Sequence, residues 1–213
     1  MAPVLVLDYG IARARRILRA LQAASIDARL ADTPLQARTA DWLLVPDGDD
    51  ADTALSRGVA PGVLDAIAGH AAAGRPLLCI GLALTFLLEG RTHPAMPPSL
   101  GILKAPVQRF DPRMTDDGER PLLVPHAGSS LIVGLDRHPA LRVLVPRSAQ
   151  GTWMTFRHRL CAPARVPQAD VAVCHHGVPF AGAIWRGPIL AVHFLPEQSG
   201  RRGIEFLQAW RQQ

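Results

Sequence analysis

The sequence predicts an α/β fold whose central sheet is mainly parallel and is extended by antiparallel strands. Up to Glu89, continuous apolar runs alternate with segments of helical periodicity, and such runs are typical of strands buried on both faces. From Gly101 onward, short strand-like runs recur about every ten residues, which indicates an antiparallel meander added to the parallel part. The alternation of strands and helices near the N-terminus favours an α/β sheet over separate layers.

The first half of the chain is predicted to supply the parallel strands and the helices between them. The run Pro3–Leu7 is apolar throughout, and Ile11–Ala24 places its apolar side chains on one side and most of its arginines on the other. Two more strands and a second helix are predicted at Asp27–Leu30, Ala40–Val45 and Val59–Ala73. They lead to the segment Arg75–Glu89, around which the chain is organised.

The second half is predicted to form short strands joined by turns, ending in one helix. The predicted strands are Val107–Phe110, Leu122–Val124, Leu131–Val133, Leu141–Val145, Met154–Leu160, Val171–Val173, Ala181–Trp185 and Ile189–His193. The closing helix is predicted over Arg201–Gln212.

Length and composition indicate one well-buried core, and we predict a single domain over residues 1–213. Hydrophobic residues make up 48% of the 213, which is enough for such a core. The net charge of +5 is an arginine excess, because Lys104 is the only lysine, and the arginines are scattered without interleaved aromatic residues. This pattern argues against nucleic-acid binding.

The cysteines and the apolar runs indicate a protein of the cytoplasm that does not enter the membrane. Three cysteines, an odd number without CxxC spacing, and no visible signal peptide predict a reduced environment. The longest apolar run, Pro76–Leu88, is shorter than the about 20 residues that a bilayer-spanning helix needs.

The segment Arg75–Glu89 has the pattern of a nucleophile elbow. A charged turn precedes a short apolar strand, small residues follow at Gly81 and Ala83, and helical character then continues to Glu89. In α/β proteins such a turn lifts one side chain above the carboxyl edge of a parallel sheet. The tip of this elbow is Gly81, which carries no reactive side chain.

Motifs along nearly the whole chain resemble those of the class I glutamine amidotransferases, and most closely the amidotransferase subunits of imidazole glycerol phosphate synthase. These motifs, in order, are Val6–Gly10, Leu44–Pro46, Cys79–Thr85, Leu100–Leu103, Val107–Phe110, Val124–Gly128, Phe156–His158 and Phe194–Gly200. The resemblance implies a flavodoxin-like class I glutamine amidotransferase fold. It also implies a glutaminase that passes ammonia to a (β/α)8 cyclase subunit.

The sequence departs from the family pattern at the residues that carry catalysis. The resemblance places Gly81 at the position of the nucleophilic cysteine and Leu195 at that of the general-base histidine, so Glu197 is the one triad position retained. The resemblance assigns the substrate site to Thr85, which replaces a glutamine of the family, and to Gly48, which lies in the loop that supplies an oxyanion donor in the family. Since nucleophile and base act as one unit, we expect cysteine-dependent glutaminase activity to be absent.

The oxyanion loop is altered as well, at Pro46-Asp47-Gly48-Asp49. Asp47 could belong to a solvated turn that caps the next helix, since carboxylates are favourable there. It could instead face the elbow, where a negative charge opposes the development of an oxyanion. The sequence leaves both interpretations open.

Two other functions stay open. Cys79 and His193 each lie two residues before an altered position, so a relocated hydrolase site built on this pair is an alternative, although core packing is the expected role of each. A binding module that uses the vacated pocket is the other, with Asp47, Asp49 and Glu197 favouring a cation or an amine.

Other chemistry-bearing residues give weaker signals. His175 and His176 point to opposite faces of a strand and lack zinc spacing, so we predict no metal and no cofactor. The pair Ser129-Ser130 has no G-x-S-x-G context and does not indicate a serine hydrolase. His126 and His158 are expected to mark a surface near the active site and the cyclase interface.

The function that these observations predict is that of a pseudo-amidotransferase of the histidine-biosynthesis type. It is expected to keep the fold and a heterodimeric contact with a cyclase-like (β/α)8 subunit while lacking glutaminase chemistry. Glycine at the elbow tip would relieve the backbone strain that such a turn imposes on other residues.

Overall fold

The apolar runs become the strands of a mixed sheet in the computed structural model, which describes residues 2–9, 13–48, 60–89, 99–146 and 149–213. In chain order the strands are β1 (Val4–Leu7), β2 (Ala28–Ala31), β3 (Trp42–Val45), β4 (Leu77–Ile80), β5 (Gln108–Arg109), β6 (His126–Val133), β7 (Gly151–His158), β8 (Leu160–Cys161), β9 (Asp170–His176), β10 (Val178–Arg186) and β11 (Ile189–Val192). The α-helices are α1 (Ala14–Ala23), α2 (Pro34–Thr39), α3 (Val63–Ala72), α4 (Pro139–Arg142) and α5 (Gly200–Arg211). Two 3₁₀ helices, Gly81–Leu87 and Pro196–Gln198, complete the described elements.

The described strands form one large sheet in the order β2-β1-β3-β4-β11-β10-β9-β6-β7, beside a small β5-β8 ribbon. Neighbours from β2 to β11 pair in parallel. Neighbours from β11 to β7 pair in antiparallel fashion. The predicted division into a parallel part and an antiparallel extension is therefore confirmed.

Apolar side chains cover both faces of the sheet, which explains why β1, β4 and β11 are buried at every position. One core contains residues of α1 and α5, with Ile17, Leu21, Phe206 and Trp210 among the buried side chains. The other contains residues of α2, α3 and the Gly81–Leu87 helix. No helix in these described ranges is long and apolar enough to cross a membrane.

Two strands predicted in the second half are wrong. Leu141–Val145 contains the end of helix α4 because Pro139 opens that helix, the His138 ring accepts a hydrogen bond from the Ala140 N–H at 3.2 Å, and two leucines three residues apart are both buried. Leu122–Val124 has no strand structure. It lies between two prolines, which cannot donate to a ladder.

The remaining predictions differ mainly at boundaries. The helix after the elbow is a 3₁₀ helix ending at Leu87. Helix α2, which the sequence analysis missed, begins at Pro34 and is capped by the Thr33 side chain, which accepts from the Gln36 N–H at 3.2 Å. Three predicted positions lie outside the described residues: the helix starts at Ile11 and Val59, and Asp49 of the oxyanion loop.

The carboxyl ends of the parallel strands meet at one edge of the sheet. There β3 leads into Pro46-Asp47-Gly48, β4 into Gly81, and β11 into the segment from His193 to Glu197. Ligands of open α/β sheets bind outside this edge, so it is the place to examine for function.

Candidate active site

The predicted elbow is present, with glycine at its tip. Strand β4 is buried along its length, and the chain turns at Gly81 with φ +60° before the 3₁₀ helix begins. That value lies in the left-handed region, which glycine enters without the steric cost that a Cβ imposes. The backbone thus keeps the geometry of a nucleophile elbow without a nucleophile.

The carboxylate of Asp47 fills the space that an elbow side chain would use. Its Oδ1 accepts the Leu82 N–H at 2.8 Å, and its Oδ2 accepts from the Arg13 guanidinium at 3.2 Å. A Cβ placed on Gly81 would overlap Oδ1 and would lie 2.6 Å from the Asp47 Cγ. Asp47 is only 4% exposed, so the interpretation as a solvated turn is wrong at this residue.

Burial makes the charge on Asp47 costly. It raises the pKa of the carboxyl group to about 7, against the lowering effects of the Leu82 N–H and of Arg13, and the nearby Glu197 raises it further. The group therefore changes charge near neutral pH. In its ionised form it places a negative charge on the N–H that follows the elbow tip.

The position that the resemblance assigns to the general base is filled by an apolar side chain. Leu195 is fully buried in the core, and its N–H donates to the Thr155 carbonyl at 2.8 Å. Two residues on, the Glu197 Oε2 atom is buried without a hydrogen-bond partner among the described residues, and burial raises the pKa of this carboxyl group. The carboxyl group of Glu197 thus lies two residues from Leu195, which offers no imidazole for it to orient.

The structure places Cys79 and His193 near each other in the sheet but gives them different partners. Cys79 pairs with Ala191 in the β4–β11 register, so His193 lies two positions further along. Cys79 is fully buried, and burial raises the pKa of its thiol. The His193 Nε2 accepts the Ala162 N–H at 3.2 Å, and its ring stacks on that of His158 at 4.6 Å.

The two substrate-site positions carried over by resemblance point inward. The Thr85 hydroxyl donates to the Leu82 carbonyl at 2.7 Å and is fully buried, so it is committed within its own helix. Gly48 is buried at the end of the loop that carries Asp47. Both oxygens of Asp47 have internal partners, whereas the Glu197 Oε2 atom has none among the described residues.

A second polar cluster lies away from the elbow, in the antiparallel part. His126 and His158 are 3% and 8% exposed, so the expectation that they mark a surface is wrong. They face each other across β6 and β7, and His126 also contacts Ser130 at 2.8 Å. Sequence reasoning missed this cluster, although a histidine and a serine four residues apart share one face of a strand.

The histidines do not form a metal centre with other ligands in the described ranges. No group of three or more His, Cys, Asp or Glu side chains there has a metal-binding arrangement. His175 is exposed on β9, whereas His176 stacks on His126 with ring centroids 4.1 Å apart.

Comparison with known proteins connects this geometry to a family of enzymes. No protein-family model matches the chain. The chain is 32% identical over 210 residues to the imidazole glycerol phosphate synthase subunit HisH of Deinococcus radiodurans, covering 99% of this chain and 93% of that protein. The HisH subunit of Methylococcus capsulatus is 31% identical over 209 residues, covering 97% and 94%.

Solved structures support the fold independently. PurLQS from Thermotoga maritima matches with a TM-score of 0.67 at 16% identity, covering 100% of this chain and 99% of that one. A glutamine amidotransferase from the same organism matches with a TM-score of 0.60 at 12% identity, covering 99% and 83%. At such identities the likeness shows the fold alone, and it confirms the predicted class I glutamine amidotransferase fold.

Proposed function

Since the chain belongs to the family of imidazole glycerol phosphate synthase HisH subunits, we propose that it is a pseudo-amidotransferase of histidine biosynthesis. It occupies the amidotransferase position beside a cyclase-like (β/α)8 subunit in the cytoplasm, as a scaffold or regulatory partner. It does not hydrolyse glutamine.

The observation that carries the proposal is the position of the Asp47 carboxylate. In an elbow hydrolase the N–H of the residue after the nucleophile donates to the oxyanion of the tetrahedral intermediate. Here the Leu82 N–H donates to Asp47 Oδ1, and the same carboxylate takes the volume of the missing nucleophile. A glutamine amide cannot form a tetrahedral adduct at a point that a carboxylate already fills.

Leu195, at the position of the general base after β11, also supports the loss of glutaminase activity. Leu195 can neither accept nor donate a proton, and Glu197 has no imidazole to orient. Losing the nucleophile or the base of such a unit alone removes most of the rate. Loss of both, with the oxyanion donor occupied, leaves no stage of the family's mechanism intact.

The glutaminase part of the proposal is tested by ammonia release from glutamine. The purified chain is assayed alone and with its cyclase-like partner, with an active amidotransferase of the same family as the positive control. We expect release at the level of buffer in both cases. Release that disappears in Cys79→Ala or in His193→Gln would support the relocated site and would overturn the proposal.

The partner part is tested separately by co-expression. A tagged chain is expected to co-purify in equal amounts with the cyclase-like subunit of the same organism. A monomer or homodimer that does not bind this subunit at micromolar concentration would contradict the partner assignment. It would not bear on the glutaminase result.

A further inference from the structure

We propose that the chain carries a second site, independent of the elbow, in which Ser130 is a nucleophile, His126 its general base and His158 the residue that positions the base. The site would act on carboxylic esters with a small apolar acyl group. This departs from the sequence-based expectation, which found no motif for a serine hydrolase.

The directions of the hydrogen bonds in this cluster follow from one carbonyl oxygen. The His158 Nδ1 lies 2.7 Å from the Leu160 carbonyl, which can only accept, so Nδ1 carries the proton and Nε2 of the neutral ring is an acceptor. The His126 Nδ1, 3.2 Å from that Nε2, must then donate to it. This leaves the His126 Nε2 as the acceptor for the Ser130 hydroxyl at 2.8 Å.

A serine whose hydroxyl donates to a histidine, itself oriented by a third group, is the arrangement that activates a nucleophile. The third group here is a neutral imidazole in place of a carboxylate. Burial accounts for its neutrality, because it lowers the pKa of His158 well below the usual value. The chain from Ser130 to Leu160 therefore fixes which His126 nitrogen faces the hydroxyl.

Packing holds the base in place. His126 and His158 occupy paired positions on β6 and β7. The His126 ring is stacked between Phe156 at 5.0 Å and His176 at 4.1 Å. His176 is itself tied to the Leu123 carbonyl through Nε2 at 3.0 Å. A ring held on both faces keeps its geometry toward the serine.

The nucleophile is accessible while its base is buried. Ser130 is partly exposed, whereas His126 is 3% exposed. The rings of Phe110, Phe156 and Phe180 around His126 make this face of β6 apolar, which favours an ester with an apolar acyl or aryl group over a peptide.

The backbone next to the serine offers a donor for an oxyanion. The Leu131 carbonyl accepts the Cys174 thiol at 3.1 Å, so this side of residue 131 faces β9. In a strand, the N–H and the C=O of one residue point to the same side, which directs the Leu131 N–H toward β9 as well. It is the N–H that follows the nucleophile, the position that supplies an oxyanion donor in elbow hydrolases.

The reaction balances without a cofactor. The Ser130 Oγ attacks the ester carbonyl carbon and its proton passes to the His126 Nε2; the ester C–O bond then breaks and the leaving alcohol takes that proton. Water adds to the acyl-serine and gives a proton to His126. Collapse of this second adduct returns the proton to Ser130 and releases the acid.

A fluorophosphonate probe, which bonds to an activated serine as fluoride leaves, tests the proposal on the intact chain. Labelling is located by peptide mass spectrometry, and turnover of p-nitrophenyl butyrate is measured in parallel. We expect Ser130 to be labelled and both signals to be lost in Ser130→Ala. Ser129→Ala is the matched control, since its hydroxyl is one residue away on the other face of β6, and it should retain both.

Two variants test the base and the positioning residue. His126→Gln should slow labelling by about tenfold, less than the usual effect of a general base, because the low pKa of His126 makes it a weak base. His158→Leu removes the acceptor and should slow it about tenfold, whereas His158→Gln can still accept from His126 and donate to Leu160 and should retain most of the rate. A structural role alone would not separate these two His158 variants, whose folding is checked by thermal melting.

The pH profile provides an independent readout. The groups that face His126 are His158, His176 and Ser130, with Phe110, Phe156 and Phe180 completing its surroundings. Burial, together with the two histidines, lowers the pKa of His126 to about 3. The labelling rate should therefore stay flat from pH 5 to pH 8, whereas a simple hydroxide-driven reaction would rise tenfold per pH unit.

The outcomes separate this site from the elbow. Three results would each overturn the proposal: failure to label Ser130, labelling of Ser129 to the same extent, or a labelling rate that is unchanged in His126→Gln. None of these results bears on ammonia release from glutamine.

Discussion

The elbow differs from the cluster of Ser130, His126 and His158, called the Ser130 cluster below, in the part of a catalytic site that each contains. The elbow has the backbone: a buried strand, a turn at Gly81 with φ +60°, and an N–H directed at the point of attack. It lacks the side chains. The Ser130 cluster has a hydroxyl, a base and a positioning group in order, but lies on an ordinary antiparallel pair without a sharp turn.

The comparison indicates that backbone geometry and side-chain chemistry are under separate constraints. A strand that enters a buried sheet edge must turn there whether or not it catalyses, so the elbow persists as a part of the fold. The space over a turn without a side chain is then filled from the next strand, here by Asp47, since close packing leaves few voids. The following predictions test how far that filling closes the site.

The largest effect is expected from removing the Asp47 carboxylate while restoring the triad. The variant Gly81→Cys/Leu195→His should stay inactive as a glutaminase because the new thiol and the carboxylate compete for one volume. Adding Asp47→Gly, which empties that volume and releases the Leu82 N–H, should raise ammonia release by about 100- to 1000-fold, the value of one oxyanion donor. Equal rates with and without Asp47→Gly would show that the carboxylate does not block the site.

Asp47 should also make stability depend on pH. Its pKa is raised from 3.8 to about 7, so its contribution is fully present below the unfolded pKa and is lost as pH rises through 7. The Asp47→Asn variant avoids that loss. Its unfolding free energy relative to the wild type should increase by about 3 kcal/mol between pH 5 and pH 8, measured by denaturant titration.

The control for this measurement is Asp170→Asn. Asp170 is about half exposed and pairs with Arg137 at the surface, so its replacement should change stability by less than about 1 kcal/mol at either pH. A flat Asp47→Asn difference would mean that the carboxylate is solvated in solution.

The elbow could be predicted from the sequence because its signals are local. An apolar strand followed by small residues predicts the turn, and resemblance over consecutive residues places Gly81 and Leu195 at the altered positions. The direction of Asp47 could not be predicted, since a carboxylate after a strand is equally typical of a solvated cap. Its burial depends on the spacing between β3 and β4, which no local pattern specifies.

The Ser130 cluster was missed for a related reason. His126 and Ser130 share a strand face, but the contact with His158 depends on the register between β6 and β7, 32 residues apart in sequence. The wrong strand at Leu141–Val145 shows the opposite error. A short apolar run can form either a strand or a helix. Here the N-cap His138 and the first helical residue Pro139 favour a helix.

An effect of similar size should report the overlap at the elbow directly. Gly81→Ala introduces a Cβ at positive φ against the Asp47 carboxylate, and we expect a loss of about 3 kcal/mol in unfolding free energy, roughly 1 from the backbone and 2 from the overlap. Gly74→Ala is the matched control, because Gly74 has φ +67° with nothing within 4 Å of an added Cβ, and it should lose only the backbone part.

A double-mutant cycle then isolates the overlap. Combining Gly81→Ala with Asp47→Ala should remove the excess of about 2 kcal/mol, since the Cβ would enter the emptied space. An excess that persists without the carboxylate would place the strain elsewhere in the turn.

The smallest effect should come from His193, which lies between the two regions and stacks on His158. Burial lowers its pKa to about 3, so its contribution is present above the ordinary pKa of 6.5 and is lost as pH falls toward 3. Between pH 8 and pH 5.5 this loss amounts to about 1.4 kcal/mol, one tenfold change in the folding equilibrium. His193→Gln, which keeps an acceptor for the Ala162 N–H, should remove this acid sensitivity, whereas His175→Gln at an exposed position of β9 should not. If both variants lose stability in acid as the wild type does, His193 is hydrated in solution.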